Sequence, residues 1–197
     1  MTLTIGLLLF DDVEELDFVG PWEVFTMAAQ GQPDLRCLTL AEKPGTLRCA
    51  KGLRVVPDAL IAAAPPLDVL LVPGGQGTRR EVNNQPLLDW IATTSRACRF
   101  VTSVCTGSLL LVAAGPARGR RVTTHWGFVE TLRARGEAEV LDDVRFVRDG
   151  NIVTSAGVSA GIDMALWLVG QLYDPPYARM VQRRMQYDPA PPYAAEV

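Results

Sequence analysis

Residues 99–115, RFVTSVCTGSLLLVAAG, constrain the fold more than any other stretch: a strand-like run gives way to a helix-like one with no loop between them. Phe100, Val101 and Val104 are aromatic or β-branched, as a buried parallel strand requires. Leu109 to Ala114 is rich in helix formers, and Gly115 supplies a C-terminal stop. Cys105 stands at the change, with Ser103 two residues before it and Gly107 two after. A nucleophile elbow turns a chain sharply from strand to helix and needs small residues at those flanks. It also sets the side chain over the helix N-terminus, where free N–H groups and the helix dipole favour a thiolate. From this stretch alone two readings of Cys105 stand level: an activated thiol, or the small buried hydrophobe that most free cysteines are.

The rest of the chain alternates short apolar strands with helices, which argues for α/β with a parallel sheet. LTIGLLLF (3–10) reads as the first strand, followed by an acidic loop and a helix from Gly20 to Ala29. LRCLTLAE (35–42) is a second strand, TLRCAKGLRVVP (46–57) a hairpin with a Lys-Gly turn, and LDVLLVPGG (67–75) a strand ending in paired glycines. A helix is expected over Thr78 to Ser95, with Val82, Leu87, Leu88 and Ile91 on one side. Beyond the elbow come the strand RRVTTHW (120–126) and a helix from Gly127 to Arg135. VRFVRDGNIVTSAG (144–157) is a hairpin turning at Asp149-Gly150. Two more helices follow, SAGIDMALWLVGQLY (159–173) and DPPYARMVQRRMQYD (174–188), then an extended tail, PAPPYAAEV.

At 197 residues the chain reads as one domain, 1–197, with a core large enough to need neither disulfide nor metal. A formal net charge of −3 gives no support for nucleic acid or an anionic membrane as partner. The start, MTLTIGLLLFDD, lacks the basic residues of a signal peptide, and its apolar run is too short to span a bilayer. The four cysteines, Cys37, Cys49, Cys98 and Cys105, form no C-x-x-C pair, so reduced thiols in the cytoplasm are expected. A single histidine, His125, rules out a multi-histidine metal site. No metal and no cofactor are expected.

Ligands of open α/β sheets bind at the carboxyl ends of the strands. The loops due there are FDDVEELDFVGP, VPGGQGT, SVCTGS and TSAGVSAG. None is a dinucleotide fingerprint or a P-loop. Together they carry a family likeness. SVCTGSLLLVAAG with GRRVTTHW, FDDVEELDFVGPWEVF, LDVLLVPGG and TSAGVSAGIDMAL resemble, in that family's order, the ThiJ/PfpI superfamily of class I glutamine amidotransferase-like domains. The resemblance covers nearly the whole chain. It implies a flavodoxin-like parallel sheet sandwiched by helices, with the nucleophile elbow at Cys105, and a homodimer. The hairpin at 144–157 offers a hint of its own, having more apolar residues than a lone hairpin can bury.

Within the superfamily, Asp17 in ELDFVGP, Thr106 and the tail QYDPAPPY most resemble the isocyanide hydratase branch, which adds water to a small-molecule isocyanide to give a formamide. The resemblance implies Cys105 as nucleophile, Asp17 as acid and base, and Thr106 as hydrogen-bond partner of Asp17 or the intermediate. It also implies Gly75 N–H and Thr106 N–H near the reacting centre, with Gly157 and Val158 as the wall opposite the thiol. Two rivals share the signature: a glyoxalase or deglycase acting on α-oxoaldehydes, and the sensor domain of AraC-type transcription regulators. The rivals differ in detail: oxoaldehyde enzymes usually carry a Glu and a usable His near the thiol, and the regulators add a basic DNA-binding module. Each residue also has a plainer role. Asp17 would N-cap the Gly20 helix, Asp11, Asp12, Glu14 and Glu15 would be a solvated loop, and His125 would support the TTHW turn. Cys37, Cys49 and Cys98 read as packing residues, and Trp22, Trp90, Trp126 and Trp167 as core.

Overall fold

The computed structural model describes residues 2–189, so most of the expected tail lies outside the described residues. Eleven strands are formed: β1 (Leu3–Leu9), β2 (Leu35–Ala41), β3 (Leu47–Arg48), β4 (Arg54–Val55), β5 (Ala59–Leu60), β6 (Val69–Val72), β7 (Phe100–Val104), β8 (Arg121–Val122), β9 (Glu139–Val140), β10 (Phe146–Asp149) and β11 (Ile152–Ser155). The helices are α1 (Glu15–Ala29), α2 (Thr78–Glu81), α3 (Gln85–Ser95), α4 (Gly107–Ala114), α5 (Val129–Arg133), α6 (Ala160–Leu172) and α7 (Pro175–Arg184). Seven strands make one sheet in the order β10-β11-β7-β6-β1-β2-β5, parallel throughout except for β10. Helices α1, α6 and α7 pack together on one side, and α2, α3 and α4 on the other. This is the flavodoxin-like α/β arrangement, and its apolar centre includes Ile5, Leu7, Leu71, Val101 and Leu110, all with no exposed surface. Among the described residues no helix is long and apolar enough to cross a membrane.

Chain direction reverses between β1 and β6. From β1 the chain runs outward through β2 to β5, then returns to β6 on the other side of β1. The loops after these two strands diverge and leave a crevice at their carboxyl ends, where such sheets bind ligands. The loop after β7 joins them there.

Several local expectations change. Helix α1 begins at Glu15, five residues before Gly20, and continues through Pro21, which has no N–H for the Asp17 carbonyl. Asp17 therefore lies in the first turn, and the position before the helix belongs to Glu14. The helix expected over 78–95 is two: the Asn84 side chain accepts from Leu87 N–H at 3.4 Å, and Pro86 opens α3. His125 ends no strand; β8 stops at Val122, and a tight turn over Trp126–Phe128 precedes α5. The β10–β11 hairpin turns one residue later than expected, since Asp149 pairs with Ile152 around Gly150-Asn151. Its apolar residues are used within the chain. Ile152 and Val153 are buried beside β7, and the Phe146 ring lies 5.7 Å from Trp167. The hint of a dimer drawn from this hairpin is withdrawn.

The elbow closes because Gly107 has no side chain. A Cβ there would come within 2.1 Å of the Val72 carbonyl oxygen and 2.8 Å of that of Pro73, both backbone atoms of the β6 end. Gly107→Ala should therefore cost about 3 kcal/mol of stability, the upper part of the range for overpacking. Urea unfolding followed by circular dichroism measures it; an unchanged midpoint would mean that α4 can move away from β6.

Candidate active site

Cys105 sits at φ 56°, a left-handed conformation that costs a non-glycine residue energy and persists only when its surroundings hold it. They do so from four sides. Its N–H donates to the carbonyls of Ser155 and Ala156, both at 3.1 Å. Its own carbonyl accepts from Thr124 Oγ1 at 2.9 Å and Ser108 Oγ at 3.1 Å. The elbow expected from the sequence is present.

Asp17 comes to the same point from α1 and has no exposed surface. One carboxyl oxygen, Oδ2, accepts from Gly74 N–H at 2.9 Å. The other, Oδ1, is buried and makes no hydrogen bond of ordinary geometry. The Cys105 thiol adjoins this carboxyl. Gly74 makes room for the approach: a Cβ there would stand 2.5 Å from Thr106 N and 2.9 Å from Asp17 Oδ2.

Burial pushes the Asp17 carboxyl up from 3.8 to about 7, against the pull of Gly74 N–H, and the nearby Glu14 carboxylate acts in the same upward direction. Burial also pushes the Cys105 thiol up to about 12, with the Asp17 charge adding to it and the Thr106 N–H and hydroxyl opposing. The depressed thiol expected from the helix terminus is thus corrected. Loss of water and a neighbouring carboxylate outweigh the N–H groups at the start of α4. With the two groups this close, the proton belongs to the pair, not to either partner.

Thr106 is the hub of a second layer. Its Oγ1 accepts from Gly75 N–H at 3.1 Å, stands 3.1 Å from Thr78 Oγ1 and 3.3 Å from Arg79 Nη1. Its hydroxyl also reaches the Gly75 carbonyl at 3.3 Å and the Cys105 sulfur, and none of its partners among the described residues is Asp17. Gly75 lies at the pocket, as the resemblance implied, and its N–H is engaged by Thr106 Oγ1. Thr78 and Arg79 were not anticipated. Their only signal was position, just after the paired glycines at a strand end.

The pocket over the thiol has a volume of about 180 Å³ and is lined by Glu14, Gly75, Gln76, Arg79, Cys105, Thr106, His125, Gly127, Phe128 and Val158. Val158 is on the pocket wall. Gly157 is not, because the His125 ring occupies the space a side chain there would fill. His125 Nδ1 accepts from Gly127 N–H at 3.1 Å, so the neutral ring carries its hydrogen on Nε2. His125 both props its turn and lines the pocket. Trp126 is not core; it is 82% exposed, its ring 5.5 Å from that of His125.

The acidic loop is not merely solvated. Asp11 accepts from Arg48 N–H at 3.0 Å and Glu15 from Lys51 N–H at 2.7 Å, while Glu14 pairs with the Lys51 ammonium and Asp12 with Arg80 at 3.1 Å. Asp11, Glu14 and Glu15 thereby fasten the β3–β4 hairpin beside the pocket, and Asp12 ties the loop to α2.

The sequence matches the DJ-1/PfpI family over residues 4–171. The chain belongs to the DJ-1/PfpI family. Among DJ-1/PfpI relatives, an isonitrile hydratase of Pseudomonas putida is 40% identical over 98% of this chain and 82% of its own length. An HTH-type transcriptional regulator, GbdR, of Pseudomonas aeruginosa is 31% identical over 85% of this chain, which spans only 46% of the regulator. The crystal structure of a ThiJ/PfpI family protein from Pseudomonas syringae superposes with a TM-score of 0.90 at 33% identity, covering 100% of this chain and 80% of the other.

A raised carboxyl has a sign in the stability curve. Over the range where the unfolded chain has released the Asp17 proton and the folded chain still holds it, stability falls as pH rises, from about 4 to about 7. Between pH 5 and pH 8 the loss should be about 3 kcal/mol. Asp17→Asn cannot ionise and should not share it. Urea midpoints of both proteins at the two pH values test this, and parallel behaviour would mean that Asp17 is ionised throughout.

Proposed function

We propose that this chain is a cysteine-dependent enzyme that hydrates an isocyanide to an N-substituted formamide. The observation that carries the reading is the buried Asp17 carboxyl, one oxygen uncommitted, beside the elbow thiol of Cys105. An isocyanide, R–N≡C, has a carbon that accepts both a nucleophile and a proton, so the site must deliver both to one atom. In this reading the Asp17 carboxylate takes the thiol proton as sulfur bonds to the terminal carbon, and returns that proton to the same carbon. The product is a thioimidate, Cys105–S–CH=N–R. Asp17 then removes a proton from water as the water oxygen adds to the thioimidate carbon and passes that proton to the nitrogen, leaving Cys105–S–CH(OH)–NH–R, whose hydroxyl proton goes to sulfur through Asp17 in the last step. Collapse breaks the C–S bond, releases R–NH–CHO and restores the thiol. Atoms and electrons balance with water as sole co-reactant.

The raised Asp17 value makes its carboxylate a strong enough base near neutral pH to take the thiol proton, and the raised thiol gives that proton up only as the C–S bond forms. The Thr106 N–H and hydroxyl steady the charge that grows on sulfur. Val158, His125 and Phe128 shape the space for R. An oxoaldehyde reaction has less support here, because His125 Nδ1 is engaged by Gly127 N–H and Asp17 replaces a glutamate. As a second part of the proposal, the protein acts in the cytoplasm as a single-domain homodimer. The family resemblance implies the dimer. Leu16 and Val19, exposed on α1, with Leu53 held nearby through Glu15, supply an apolar face for it.

Formamide production from alkyl and aryl isocyanides tests the reaction. Cys105→Ala should abolish it, and Asp17→Asn should lower kcat by about 10²–10⁴, the usual worth of a placed acid–base. The double variant should be little worse than Cys105→Ala, since the two act as a unit. Absence of formamide from every isocyanide tried would overturn the reading. Sedimentation at micromolar concentration should give a dimer, and Leu16→Lys should shift it toward monomer; a monomeric wild type would remove that part.

A further inference from the structure

We infer that Arg79 is a carboxylate receptor in the catalytic pocket, so that the substrate is a small isocyanide bearing a carboxylate; this rests on the hydratase reading. Arg79 lines the same pocket as Cys105. Its Nη1 is fixed, donating to the Gly75 carbonyl at 2.9 Å and lying 3.1 Å from Thr78 Oγ1 and 3.3 Å from Thr106 Oγ1. The guanidinium rests on the Phe128 ring, 4.6 Å from its centre. No carboxylate pairs with it among the described residues. Glu14, the acid on the pocket wall, is taken by Lys51.

What remains is the Nε–Nη2 edge of a guanidinium already held in position. That edge is a planar two-donor fork, and a carboxylate is its two-acceptor match. Because Phe128 and Nη1 already fix the side chain, little freedom is lost on binding. The small volume, about 180 Å³, suits a carboxylate only a few bonds from the isocyanide.

The test compares substrates and reagents that differ in that one group. For turnover, kcat/KM is measured with isocyanoacetate and with its methyl ester in wild type, Arg79→Gln and Arg79→Lys. Wild type should favour the acid by about 10- to 100-fold, the span of a charge-assisted hydrogen bond. Arg79→Gln should bring the ratio near one, mainly through KM, and Arg79→Lys should fall between. A second measurement does not depend on hydration. Iodoacetate and iodoacetamide each alkylate a thiolate, forming C–S and expelling iodide. The ratio of their rates at Cys105, followed by peptide mapping, should exceed that for a free cysteine peptide and collapse in Arg79→Gln. If no isocyanide is turned over, the hydratase reading fails and alkylation alone decides the receptor. Ratios unaltered by Arg79→Gln, or no wild-type preference for the anion, would overturn it.

Discussion

The site depends on one backbone conformation, the left-handed turn at Cys105. A strand that ended normally would run past the crevice, and a loop there would leave the thiol unplaced. The turn instead brings β7 to a stop beside the reversal between β1 and β6, so three loops from separate parts of the chain meet over one sulfur. The strain is local and the restraint is not. The carbonyls that receive Cys105 N–H come from β11 and the residue after it, and one hydroxyl on the Cys105 carbonyl comes from Thr124. Distant segments must therefore be in place before the elbow is stable, which ties the geometry of the site to completion of the sheet.

Onto this frame the protein adds an electrostatic cost. Asp17 gives up water for a single N–H from Gly74 and a thiol neighbour, an arrangement that disfavours both ionised forms. A fold selected for stability alone would put an apolar residue there. The carboxylates a few residues earlier behave oppositely: Asp11 and Glu15 find backbone N–H donors on the β3–β4 hairpin. Glu15 still keeps one buried oxygen unpartnered, so the difference between the two kinds of acid is that Asp11 and Glu15 are tied to the hairpin while Asp17 is turned to the thiol.

The sequence made the fold class legible because its strands are short, apolar and separated by turn chemistry, and the elbow was legible because glycine and serine flank a cysteine. Asp17 was legible only through the family likeness. By residue type it was an ordinary helix cap, and its burial follows from α1 starting five residues earlier than the Gly-Pro pair suggested. The split of 78–95 went unseen since Asn84 and Pro86 signal a start as well as a stop, and the apolar periodicity ran across both. Trp126 was misplaced because aromatic residues are buried on average, and nothing local announces a turn that lifts one into solvent. The occupation of Gly75 N–H by Thr106 is a contact between loops 31 residues apart, beyond the reach of any local pattern.

Helix α2 is a single turn, and its residues divide by task. Thr78 and Glu81 face inward and are buried, while Arg79 and Arg80 face out, one toward the thiol pocket and the other toward Asp12. The outward side chains are not part of the hydrophobic centre, so their replacement leaves the sheet intact and takes from the site only the Arg79 contacts to Gly75, Thr78 and Thr106. In the proposed reading, bond-making and ligand choice sit on separate pieces of chain. A lineage built on this scaffold can exchange what it admits by changing one surface turn, while the strained cysteine and its buried acid pass on unaltered.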